Sequence, residues 1–402
     1  MQTLWSNVIT IQPIPSTFIR GALELESTAA GTIVHRLPAS ARAQANGDPQ
    51  LLMVEQQPSG VRIVFQTTAT VIELDTLRSR TIYAGAPSRP DGVIELVVDG
   101  TVLGECVSNG GILTTIDMAT GIPTRAEGPL CTSSFSGLPE GLKSVEIWLP
   151  HNEATELLAL RSNAAVEAQR DSERPRWLHH GSSISHGSNA TRPTAIWPAV
   201  ASRLGGVELT NLGFGGSALL DPFVARTMRD TPADAISIKM GINLVNLDLM
   251  RLRAFGPAVH GFLDTIRDGH PNTPLLVVSP IFCGIHEDTP GPGAFDMAAL
   301  AEGKMRFTAT GNPAETAAGK LTLRIIRKEL ERIVRSRVEH DPNLYFLDGL
   351  ALYSEADAAE HPLPDALHPD SETHRLIGER FAALAFASDG FFGPGSPTDS
   401  RL

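Results

Sequence analysis

Four short stretches of this chain combine residues suited to acyl-group chemistry. Cleaving an ester needs a hydroxyl made nucleophilic, a neutral base beside it, and N–H donors aimed at the oxygen that gains charge. The first stretch is His180-Gly181-Ser182-Ser183-Ile184-Ser185-His186-Gly187. Gly181 permits a tight exit from a strand, and a serine in the turn that follows stands exposed with its own N–H free to donate. Asn211-Leu212-Gly213-Phe214-Gly215-Gly216-Ser217 is the second, where glycines let a backbone N–H approach a ligand without obstruction. The third, Met240-Gly241-Ile242-Asn243, offers a neutral side-chain amide. In the fourth, Asp365-Ala366-Leu367-His368-Pro369-Asp370, the proline holds His368 extended and can open a helix. Asp365, three residues back, can reach the ring Nδ1. Read singly, each residue has a plainer use: the serine as a turn cap, Gly216 as a turn glycine, Asn243 as a strand-end cap, Asp365 and His368 as surface loop.

The elements around these stretches set where they stand. From about residue 177 onward, short apolar runs at 177–180, 207–212, 235–240, 275–279 and 343–347 read as strands. Helical patterns lie between and after them at 197–204, 222–228, within 247–267, at 320–338 and at 371–386. The helix at 320–338 shows its apolar face in Leu323, Ile326, Leu330, Ile333 and Val338, and Asp370 or Ser371 is the expected N-cap of the last one. Strand and helix in alternation predict a mostly parallel sheet covered on both faces, with chemistry at the carboxyl ends of its strands. All four stretches fall at such ends or just before the last helix.

The first half has another period. Runs at 61–64, 69–74, 93–98, 101–107 and 145–149 are separated by turn residues, and Val98-Asp99-Gly100 is a hairpin signal. With few stretches long enough for a helix, this half predicts an all-β sandwich of jelly-roll type. The expected division is residues 1–169 for the β-domain, 170–176 as a linker around Pro175, 177–387 for the α/β domain, and a disordered tail at 388–402. Residues 283–319 show no clear period and are the candidate lid or substrate-binding loop.

Taken together and in order, the glycine–serine, glycine, asparagine and Asp-x-x-His-Pro blocks resemble those of the SGNH (GDSL-like) hydrolases, over roughly half of the chain. That resemblance implies a flavodoxin-like three-layer α/β/α sheet behind the β-domain, an arrangement similar to two-domain carbohydrate esterases. It implies Ser183 as nucleophile, His368 and Asp365 as the rest of the triad, and an oxyanion hole made by the N–H of Ser183, the N–H of Gly216 and the amide of Asn243. Two positions depart from the family blocks: Ser182 stands where an aspartate is usual, and Leu244 follows Asn243 in place of another. Neither lost carboxylate attacks substrate, so altered loop support is expected.

Composition narrows the partners. A net charge of -12 without a Lys/Arg cluster speaks against nucleic acid. No run of about 18 apolar residues suggests a membrane span, and the first residues lack the pattern of a signal peptide, so a cytoplasmic site is expected. The three cysteines are too few and too scattered for a disulfide framework. His179, His180 and His186 crowd the serine, but no carboxylate or cysteine stands at ligand spacing, so neither metal nor organic cofactor is expected. Trp177 and Trp197 read as core, and His286-Glu287-Asp288 as solvated loop. The reading is a serine esterase for short acyl groups on a sugar or other hydroxylated small molecule. An O-acyltransferase using the same acyl-enzyme, or a carbohydrate-binding protein with an inactive SGNH half, are the alternatives.

Overall fold

The computed structural model describes residues 8–45, 47–87, 89–117, 120–169 and 173–393. They cluster into two compact units whose members interleave along the chain. One gathers the described residues up to Ala39, with Leu52–Glu173 and Thr191–Thr194; the other gathers Ser40–Leu51, Arg174–Ala190 and Ala195 onward.

In the first unit the period-two pattern becomes two sheets, of eight and six strands. Strand Cys131–Ser136 shows why: Cys131, Ser133 and Phe135 are buried while Thr132, Ser134 and Ser136 are exposed, so one face turns inward. Pairing is antiparallel, save for the parallel pair Val71–Ala84 with Ile112–Asp117. The expected hairpin joins Val93–Val98 to Thr101–Val107. Its turn holds Asp99 at φ 47° and Gly100 at φ 82°, the doubly positive geometry that Asp-Gly tolerates and most pairs do not. Ile72, Leu74 and Leu157 of the larger sheet share one core with Phe65, Leu96 and Ile147 of the smaller. A core enclosed by two sheets is a β-sandwich. The sequence did not foretell the short helix Pro49–Glu55; its first residues, to Leu51, belong to the other unit, as does Asp48, whose Oδ1 accepts from the N–H groups of Gln50 and Leu51.

The second unit holds a five-stranded parallel sheet. Its elements are β1 (Arg176–Gly181), α1 (Ser183–His186), α2 (Trp197–Gly205), β2 (Glu208–Gly213), α3 (Pro222–Asp230), β3 (Ala235–Lys239), α4 (Ile242–Asn246), α5 (Leu252–Gly269), β4 (Leu275–Val278), α6 (Leu323–Arg337), β5 (Leu344–Leu347) and α7 (Ser371–Ala385). The strands lie in the order β2-β1-β3-β4-β5. Successive side chains of β1 take opposite faces: Trp177 packs against Trp197 and Phe381, His180 against Phe262. Helices therefore cover both faces, and the layers are α/β/α. The order reverses at β1, so the crevice beyond its carboxyl end is where an open sheet receives a ligand.

The expected strands and helices of this half are all present, and Trp177 and Trp197 are fully buried. Four features differ from expectation. The five-residue helix α4 was not expected, being too short to show a period. Residues 283–319 are built from short elements, with strands Gly293–Phe295 and Phe307–Ala309 paired and a helical turn at Met297–Ala301. Within them His286 and Glu287 are buried, Glu287 against the Arg327 guanidinium, and not solvated as composition suggested. The tail begins as structure: Phe391 and Phe392 donate their N–H groups to Leu384 and Ala385 carbonyls and pack on the α/β core. The rest of the expected disordered tail, 394–402, lies outside the described residues, as do the linker positions 170–172. No helix among the described residues is long and apolar enough to cross a membrane.

Candidate active site

β1 ends at Gly181, and the chain turns directly into α1, making Ser183 the first residue of that helix. The sequence suggested an exposed serine; in the fold it is 8% exposed, closed over by the chain around it. Its Oγ lies 3.0 Å from Nε2 of His368. His368 stands just before α7, whose N-cap is Asp370, its side chain accepting from the Thr373 N–H at 2.9 Å. The other ring nitrogen, Nδ1, is 2.8 Å from Asp365 Oδ2. Serine, imidazole and carboxylate thus form one continuous line.

Asp365 is held from several sides. Its Oδ1 accepts the N–H groups of Leu367 at 3.0 Å and His368 at 2.6 Å, and its Oδ2 also accepts from Asn189 Nδ2 at 3.0 Å. Burial alone would raise this carboxyl's pKa; the His368 ring and backbone and the Asn189 amide outweigh that and hold it down at about 2. The tight fold of the loop places Ala366 at φ 66°, a conformation side chains avoid. Phe307, from the candidate lid, sets its ring edgewise to His368 with centroids 5.6 Å apart, and its N–H donates to the Asp365 carbonyl at 2.9 Å.

Three donors stand after three adjoining strands. Among the described residues the N–H of Ser183, after β1, and that of Gly216, after β2, have no acceptor. Asn243 follows β3 in the first turn of α4, buried at 2% exposure. Its Oδ1 accepts the Ala218 N–H at 3.2 Å, which leaves Nδ2 as the end available to donate. With a serine hydroxyl, an imidazole, a carboxylate and uncommitted donors at one sheet edge, the arrangement suits addition to a carbonyl carbon.

Residues 176–283 match the model of the GDSL-like lipase/acylhydrolase family. Over that segment the chain is similar to the GDSL-like acylhydrolases. The matched segment contains Ser183, Gly216 and Asn243; Asp365 and His368 lie beyond it and join through the fold. The salicylyl-acyltransferase SsfX3 from a tetracycline biosynthetic pathway superposes with a TM-score of 0.75 at 25% identity, over 93% of this chain and 95% of that one. A putative GDSL-like lipase from Bacteroides ovatus reaches 0.62 at 17% identity, over 93% and 96%. A family two carbohydrate esterase from Clostridium thermocellum, solved with cellohexaose, reaches 0.53 at 14%, over 81% and 91%. At such identities the last two speak for the shared fold. No curated protein matches the sequence.

Ser182 caps α1 by position, but its Oγ is buried without a hydrogen-bond partner among the described residues. Leu244 is fully buried. Ser185 does bond locally, to His179 Nε2 at 2.8 Å, while His179 Nδ1 meets Ser237 Oγ at 2.7 Å. Burial pushes His179 well below the usual imidazole range, and His374 down to about 4, so both are neutral framework. Among the described residues no three His, Cys, Asp or Glu side chains are placed to hold a metal ion. Asn189 was missed as a site residue. Its sequence signal was a glycosylation sequon, and only its positive φ of 67° and its bond to Asp365 disclose the use it has.

Proposed function

We propose that this protein is a serine esterase that removes a short acyl group from a sugar or other hydroxylated small molecule. The observation that carries the reading is the unbroken line from Asp365 through His368 to Ser183, at 2.8 and 3.0 Å. His368 Nε2 takes the Ser183 proton as Oγ bonds to the ester carbonyl carbon. The oxyanion so formed is met by the N–H groups of Ser183 and Gly216 and by Asn243 Nδ2. The carbon–alkoxide bond then breaks, and the alcohol leaves with the proton from His368. Water adds to the acyl-enzyme, gives its proton to His368, and the acid departs as Ser183 recovers its hydrogen. Asp365 remains a carboxylate throughout, stabilising the imidazolium.

A second reading shares every step but the last. Passing the acyl group to an acceptor alcohol in place of water makes the protein an acyltransferase, and the likeness to SsfX3 along nearly the whole chain favours it.

An alkyl fluorophosphonate is expected to label the folded protein on Ser183, and Ser183→Ala to abolish both labelling and ester cleavage. A folded wild-type protein that refuses the probe and cleaves no ester would instead be a binder. p-Nitrophenyl esters of increasing chain length, then acetylated sugars, rank the acyl and alcohol parts. Product analysis with and without an acceptor alcohol separates hydrolysis from transfer.

A further inference from the structure

Gln50 belongs to the segment Ser40–Leu51, which precedes most of the β strands in sequence yet clusters with the α/β sheet. Its Nε2 donates to the Gly215 carbonyl oxygen at 2.8 Å, across 165 positions of chain. Its Cγ, Nε2 and Cδ lie 3.4 to 3.6 Å from where a Cβ on Gly216 would stand, so the side chain lies along the loop that follows β2.

From this contact we infer that Gln50 is a positioning residue for the oxyanion hole, acting through the Gly215–Gly216 peptide. The inference rests on the esterase reading above. The carbonyl of Gly215 and the N–H of Gly216 belong to one peptide unit, and in a trans peptide they point in opposite directions. Holding the oxygen therefore sets the direction of the hydrogen. The unit needs holding, because it lies between two glycines and Gly216 sits at φ 77°, so rotation of the whole plane meets little steric resistance. The Gly216 N–H has no acceptor among the described residues, and Gln50 is the side chain that fixes it from behind. A hydrogen bond accepted by the carbonyl also polarises the peptide and makes its N–H a better donor. Helix Pro49–Glu55 supplies the anchor: Asp48 caps it through the N–H groups of Gln50 and Leu51.

Gln50→Met keeps the length and packing of the side chain and removes the donor; Gln50→Glu is isosteric and replaces the donor by an acceptor. Each variant should melt close to the wild type. For each, kcat on a p-nitrophenyl ester should fall about tenfold with KM unchanged, since the worth of one hydrogen bond is lost in the transition state only. The rate of fluorophosphonate labelling should fall in parallel. Folded variants with kcat and labelling within twofold of wild type, or with a raised KM and unchanged kcat, overturn the role. Wild-type protein that takes no label overturns the esterase reading itself, which keeps the two failures apart.

Discussion

Asn243 illustrates how one hydrogen bond can decide a side chain's use. Its amide could present either end to the crevice; the Ala218 N–H takes the oxygen and turns the NH₂ outward. In the proposed reaction that end meets the oxyanion, and removing one such donor costs roughly 10²- to 10³-fold in rate. Asn243→Ala should therefore lower kcat by about that factor with KM little changed, and melt somewhat below wild type while staying folded, because the buried Ala218 N–H loses its acceptor. Full activity in steady-state assays of that variant would remove Asn243 from the mechanism. At this scale the sequence was most informative about residue type. Serine, asparagine, aspartate and histidine were identifiable because each block carries its own local geometry, such as the proline that follows His368. Asn189 and Gln50 were not, since nothing beside them in the chain marks them as partners of Asp365 and Gly215.

Among the elements, α3 carries a cost at its start. Asp221 is its N-cap by position, but its side chain caps no N–H, and burial together with the charge of Asp48 raises its carboxyl to about 6. The unfolded carboxyl titrates near about 4. The native state thus holds the extra proton between about 4 and 6, and its stability falls as pH rises through that window. Asp221→Asn relieves this penalty above about pH 6 and changes nothing below about 4, where both states are protonated. Since Asp221 is half-buried, solvent screening leaves roughly 1 kcal/mol of the effect. Thermal melts of Asp221→Asn should rise by about 2 to 4 °C at pH 8 and match wild type at pH 3.5. A gain of equal size at both pH values would point to another cause. Asp365 behaves oppositely: held at about 2, it loses its charge only in strong acid, so an acid limb of activity at higher pH does not report this carboxylate.

Over the whole molecule, contiguity in sequence and compactness in space part company. Residues 40–51 cluster with the α/β sheet and residues 191–194 with the β-sandwich. A fragment beginning at residue 174 would therefore lack part of its own unit, Gln50 included. Expressed alone, it is expected to melt lower than the full chain and to label with fluorophosphonate at least tenfold more slowly. Circular dichroism and labelling rates measure both, and equal values for fragment and full chain would show residues 40–51 to be dispensable.

Period and punctuation alone determined the two architectures here: alternation of strand and helix after residue 177, short strands before it, and the order of the chemical blocks at strand ends. These are local properties, written in neighbours along the chain. Tertiary structure decided what depends on distant residues meeting. It ordered 283–319 against the His368 loop, closed Ser183 away from solvent, left the Ser182 hydroxyl without a partner among the described residues, and brought Asn189 to Asp365 across 176 positions. Such contacts follow from how the faces of elements pack once formed, and no window of sequence contains both partners.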